Sequence, residues 1–222
     1  MNYKINKRLL CAASFVEKGA SVADIGCDHA YLPIYLIKEN IARSVLACDI
    51  NEGPCETARD NIRRQGLSEV ISVRCTDGLV GIEDFAPENI VICGMGGDLI
   101  YRIISDSEYT KSARPLLILQ AMTKVSELRS SLLASGYNIE KEALVYDDRL
   151  YEVIVCRYDG KKREWNAVEL LTGRYAEKNE LYTSHIEKLI KQYSVIIEGK
   201  ARADIDTSYE EKILEELKNE CK

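Results

Sequence analysis

Five short apolar runs, each followed by a stretch of helical spacing, decide what this chain can fold into. The runs are SVADIG (21–26), SVLACDI (44–50), ISVRCTD (71–77), NIVICGMG (89–96) and LLILQ (116–120). Each is rich in Val, Ile or Leu and bounded by turn formers, the signature of a strand. Between them lie helical patterns over 31–40, 53–66, 97–107 and 123–136, the last opened by a threonine cap at Thr123 and stopped at Gly136. Strands without polar alternation are buried on both faces. The pattern therefore predicts an α/β fold: a Rossmann-like parallel sheet covered by helices on each side. Residues 138–159 read instead as two strands about the polar turn Asp147-Asp148-Arg149, an antiparallel hairpin closing the sheet.

Near GKKRE (160–164) the character changes. Beyond it there is no proline, and apolar residues recur every three or four positions, from Leu170 to Leu217. This predicts two helices, 165–199 and 207–221, with a bend near EGKARADID. Thirty helical residues would span about 45 Å. One apolar stripe of that length needs a partner, most simply its own return helix. Two domains are expected: a catalytic one over 1–160 and a helical hairpin over 161–222.

The composition narrows the class. No run approaches the ~18 consecutive apolar residues of a membrane span. The apolar stretch after the basic start is cut by Glu17 and Lys18, so it reads as a helix and not as a signal peptide. The eight cysteines form no C-x-x-C pair and several sit inside strand runs, which points to buried thiols in a cytoplasmic protein. With only His29 and His185, a multi-histidine metal centre is excluded, and no metal is expected. A net charge of −6 argues against broad coating of nucleic acid, though not against a local basic patch.

The first strand ends in ADIGCDHAYLP (23–33). Asp24, Gly26 and a turn into a helix near Leu32-Pro33 are suited to presenting backbone amides to a ligand. A dinucleotide-binding turn wants glycines there so that backbone can approach a pyrophosphate. Two of those places hold Asp28 and Ala30, and Asp28 would face the pyrophosphate with a negative charge. A cofactor with a cationic centre and no phosphate removes the conflict, and S-adenosylmethionine is such a molecule. The later strand ends agree. Asp49, followed by Ile50 and Asn51, can accept from both ribose hydroxyls; Asp77-Gly78-Leu79 can accept from the adenine amino group. Gly94-Met95-Gly96-Gly97 leaves a side-chain-poor floor beside the reacting methyl. Taken alone, Asp77 could be a helix cap and the glycines a tightly packed turn; in this order the four indicate S-adenosylmethionine.

The stretches ADIGCDHAYLPIYL, DGL (77–79), ICGMGGDLI (92–100), LILQ (117–120) and YEVIV (151–155) resemble the bacterial tRNA (adenine-22-N1)-methyltransferases, the TrmK family. The resemblance covers essentially the whole chain. It implies a class I methyltransferase domain followed by a helical hairpin, with tRNA as partner and N1 of an unpaired adenine at position 22 as acceptor. Asp98 departs from the family pattern.

N1 carries an in-plane lone pair, so attack on a methyl carbon needs alignment and no strong base. As a Watson–Crick edge atom it must be unpaired and turned out of its stack. Three residues are candidates for that base. Tyr31 either stacks on the flipped adenine or anchors the turn in the core. His29 either bonds the base or caps the helix, and Gln120 contacts base or cofactor. Asp28 either holds the methionine amine or braces the loop. Lys4, Lys7, Arg8 and Lys161, Lys162, Arg163 are phosphate partners or plain surface charge. The helical tail lies against folded tRNA or pairs with a second subunit, giving a monomer or weak dimer. Competing readings are a methyltransferase of a protein or small molecule, and a non-catalytic binding module.

Overall fold

A computed structural model describes residues 5–175 and 177–220. Five parallel strands form its centre: β1 (Ala20–Ile25), β2 (Ala42–Asp49), β3 (Ile71–Cys75), β4 (Asn89–Met95) and β5 (Leu116–Ala121). An antiparallel hairpin, β6 (Tyr137–Tyr146) and β7 (Leu150–Tyr158), completes a seven-stranded sheet in the order β3-β2-β1-β4-β5-β7-β6. The predicted hairpin turn at Asp147-Asp148-Arg149 lies between its two strands.

Successive strand residues feed two cores. Val22, Val45, Ala47, Val91 and Ile118 pack against α1 (Lys7–Ala13), α2 (Tyr31–Lys38) and α3 (Glu52–Arg64). Ala23, Leu46, Ile90, Ile92 and Leu119 pack against α4 (Gly97–Ser105) and α6 (Val125–Ala134). The central strands β1, β4 and β5 are buried on both faces, which is why their runs carry no polar alternation, whereas the edge strand β3 is fully buried only at Ile71. The β3–β4 crossover holds only one turn of 3-10 helix, Ile82–Asp84, and α5 (Tyr109–Ser112) is equally short. Neither stands out in the sequence pattern. Among the described residues no helix is long and apolar enough to cross a membrane.

Two expectations about helix ends are corrected. Thr123 does not cap α6: its cap is Lys124, in the left-handed region at φ 56° and without a side-chain bond. The backbone carbonyl of Thr123 is used elsewhere, accepting from Gly97 N at 2.9 Å. The predicted helix over 165–199 is broken. α7 (Ala167–Thr172) stops at Gly173, φ 73°, and helix resumes only at α8 (Glu180–Arg202), where Asn179 caps Leu181 and Tyr182. α9 (Ser208–Glu220) then returns along α8, the end of the predicted second helix at residue 221 lying outside the described residues.

The break has a specific cause. Arg129 of α6 is fully buried, and a Cβ at Gly173 would lie 2.7 Å from its Nη2. The guanidinium donates to Glu142 on β6 at 2.7 Å, to Glu152 on β7 at 2.5 Å and to Leu170 O on α7 at 2.9 Å. Tyr175 OH adds a bond to Glu152 at 2.8 Å, and Arg174 N donates to Glu142 at 2.6 Å. One buried cation thus ties the tail to the sheet, and the chain must bend around it. The tail's own core of Val168, Tyr182, Ile186, Leu189, Ile213 and Leu217 continues onto Leu144 of β6.

Removing one partner of a buried ion pair strands the other. Arg129→Ala should therefore cost roughly 3–5 kcal/mol in urea unfolding. Hydrogen exchange should show α7 and the start of α8 losing protection ahead of the sheet. A cost below about 1 kcal/mol, typical of an exposed pair, would contradict this account.

Candidate functional site

The strand order reverses between β1 and β4, so the loops leaving their carboxyl ends diverge and open a crevice. The loop after β1 enters it with Gly26 at φ 79°, its N–H and that of Cys27 both donating to Cys48 O at 2.8 and 2.9 Å. Asp28 and Ala30 follow at φ 47° and 57°. The backbone therefore takes the left-handed form that glycine would give, at about 1–2 kcal/mol for each side chain kept there. Asn61 of α3 holds the loop by donating to His29 O at 3.0 Å. His29 does not cap α2: the cap is Ala30, without a side-chain bond. Its ring stacks on Tyr31 at 5.3 Å and 20°. Tyr31 is exposed, and Leu32 and Ile34 take the core positions, so it is not a core anchor either.

The carboxylates line the same rim. Asp24 is only 5% exposed, and no described residue gives its carboxylate a hydrogen bond. Burial, with the neighbouring Asp49 charge adding to it, pushes its pKa up to about 7. Asp49 is half-exposed and accepts from Asn51 N at 3.0 Å, fixing the turn into α3 beside an exposed Ile50. Asp77 is exposed and caps no helix, since the following 3-10 turn begins at Ile82 with Gly81 as its cap. Asp77, Gly78 and buried Leu79 border a cavity of about 410 Å³ that extends to Arg102 and Ile103 of α4.

The glycine floor is more differentiated than its sequence. Gly94 sits in a bulge between Cys93 and Met95, exposed and at φ 84°. Its N–H donates to Gln120 Oε1 at 3.2 Å. Met95 folds over the first loop, its Cε 2.4 Å from where a Cβ on Gly26 would lie. Gly96 faces Thr123 Oγ1, and buried Gly97 packs on the backbone of Lys124, whose carbonyl oxygen would lie 2.4 Å from an added Cβ. Gly97 is thus a packing glycine, and Gly94 is the open one.

Gln120 is fully buried. Its Oε1 accepts from both Gly94 N and Arg8 Nη1, the latter at 2.5 Å, and its Nε2 donates to Ala121 O at 2.7 Å. With every polar atom engaged it braces the floor and has none left for a base. Arg8, read from sequence as surface charge or a phosphate partner, turns inward to this brace and lies 5.7 Å over the Tyr151 ring, which Arg149 covers at 5.0 Å. Lys7, Lys161 and Lys162 are exposed, Arg163 is spent on Asp159, and Lys4 lies outside the described residues. Asp98 pairs with Lys124. Beyond the floor, a groove of about 410 Å³ separates Met122–Glu127 from His185, Lys188 and Gln192 of α8. Among the described residues no group of three His, Cys, Asp or Glu is placed to hold a metal ion.

The chain is similar to known methyltransferases over nearly its whole length. A family described as a methyltransferase domain matches residues 5–154. The tRNA (adenine(22)-N(1))-methyltransferase of Bacillus subtilis is 31% identical over 96% of this chain and 92% of its own length. The crystal structure of the B. subtilis m1A22 tRNA methyltransferase TrmK matches with a TM-score of 0.81 and 31% identity, covering 98% of this chain and 96% of that one. M. capricolum TrmK in complex with the cofactor product S-adenosyl-homocysteine matches with a TM-score of 0.82 and 26% identity, covering 99% and 98%. The chain belongs to the tRNA (adenine(22)-N(1))-methyltransferase family.

Proposed function

We propose that this protein methylates N1 of adenine 22 in tRNA, with S-adenosylmethionine as methyl donor. The carrying observation is Asp24, a buried carboxylate at the crevice mouth with no hydrogen-bond donor among the described residues. An anion so placed calls for a cation, and a phosphate-bearing dinucleotide is the wrong guest. S-adenosylmethionine supplies an electrophilic methyl carbon on a positively charged sulfur.

The chain's own groups divide the remaining work. Asp24, Gly26 and Asp28 hold the methionine end, Asp49 with Ile50 and Asn51 the ribose, and Asp77, Gly78 and Leu79 the adenine edge. Gly94, Met95, Gly96 and Gly97 shape the floor, with Gly94 leaving space for the incoming base. The His29–Tyr31 stack offers an exposed aromatic face to a flipped adenine. N1 attacks through its lone pair, so these residues need only align it and exclude water. Residues 1–160 act as the catalytic domain. The arm over 161–222 walls the groove through which flanking RNA leaves the site.

Labelled S-adenosylmethionine should mark tRNA transcripts with adenine at position 22, at N1, and spare otherwise identical transcripts with guanine there. Equal label in both, or in neither, contradicts the acceptor. A second expectation concerns acidity. Only ionised Asp24 pairs with a cation, so cofactor affinity measured by calorimetry should be greatest above pH 7. It should fall by up to about tenfold per unit below that. Asp24→Asn should bind weakly at every pH with a flat profile; a wild-type profile flat from pH 8 to 5 would remove Asp24 from cofactor binding.

A further inference from the structure

On the face of the sheet covered by α1, Arg8 presents its guanidinium beside the floor with no ion pair among the described residues. No carboxylate among the described residues pairs with it, and only Nη1 is spent, on Gln120 Oε1. Gln120 fixes it from below and the Tyr151 ring from the side. A Cβ placed on Gly94 would lie 3.4 Å from Nη1 and 3.8 Å from Nη2, so the group stands directly beside the open glycine. A half-buried cation held this firmly, with donors in reserve, is arranged for an anion.

Resting on the proposed methyl transfer to tRNA, we propose that Arg8 binds the backbone phosphate next to the flipped adenine and so sets the base over Gly94. The base itself is the wrong partner, because methylation at N1 gives the ring a positive charge that a guanidinium would oppose. A phosphate two or three bonds beyond the sugar suffers no such conflict and matches the planar fork of Arg. Gln120 then has a positioning role: one carbonyl oxygen sets both the Gly94 bulge and the guanidinium, coupling the floor to the strand that supplies the base.

The test compares wild type, Arg8→Gln and Arg8→Lys in three measurements: binding of unmodified tRNA across a salt series, S-adenosylmethionine affinity by calorimetry, and methyl incorporation. Arg8→Gln should weaken tRNA binding by about tenfold and lower the slope of log affinity against log salt by about one. Its cofactor affinity should stay as in wild type. Arg8→Lys should keep the salt slope, because it keeps the charge, while losing turnover with the fork geometry. A full wild-type slope in Arg8→Gln overturns the assignment. So does an equal loss of cofactor affinity in both variants, which would make Arg8 a brace of the floor and nothing more. If wild type itself puts no methyl into tRNA, the function falls; if wild type is active and Arg8→Gln keeps its slope, only the role of Arg8 falls.

Discussion

The structure depends on a carboxylate that is almost wholly buried and has no hydrogen-bond partner among the described residues. Asp24 is the penultimate residue of β1 in the middle of the sheet, close enough to Asp49 for the two charges to repel. A pKa raised from the ordinary carboxylate range to about 7 means the folded chain keeps a proton that the unfolded chain surrenders between about pH 4 and 7. The contribution of Asp24 to stability is full below that window and is lost as pH rises through it. At neutral pH the fold therefore carries an electrostatic cost that a bound cation would offset. Stability is given up at the position where the ligand's charge is to be recognised, and the left-handed Asp28 and Ala30 add local strain to the same loop.

The reversal of strand order at β1 and β4 separates two electrostatic tasks. Asp24, Asp28 and Asp49 gather on the β1–β2 side and suit a cationic donor. Arg8 and Arg149 flank Tyr151 on the β4–β5–β7 side and suit a polyanionic acceptor. Gly94 stands between them without a side chain, kept in its bulge by Gln120. The chain's overall negative charge is no obstacle to RNA on this arrangement, because the field that matters is local to one rim.

What was legible in the sequence was whatever local pattern determines. Strands buried on both faces leave unbroken apolar runs, and their carboxyl ends carry the rim residues in chain order, so the sheet and its acids could be read together. The break at Gly173 could not. Its reason is Arg129, more than forty positions earlier, fixed by Glu142 and Glu152 on two other strands. Gln120 was read as contacting base or cofactor, because nothing in LLILQ shows that Arg8, 112 positions away, takes its oxygen. Gly97 looked like part of an open floor for the same reason: the Lys124 backbone that fills the space comes from another loop. Periodicity reports burial and hydrogen-bonding partners do not follow from it.

The most direct test of the central claim is the titration of the Asp24 carboxyl itself, followed by carbon-13 NMR in the free protein and with S-adenosylmethionine bound. The account predicts a midpoint near 7 in the free protein, moving well down into the acid range when the cation is present. A free-protein midpoint near the ordinary value of about 4, unmoved by ligand, would show that Asp24 is neither desolvated nor facing the donor's charge, and would contradict the account.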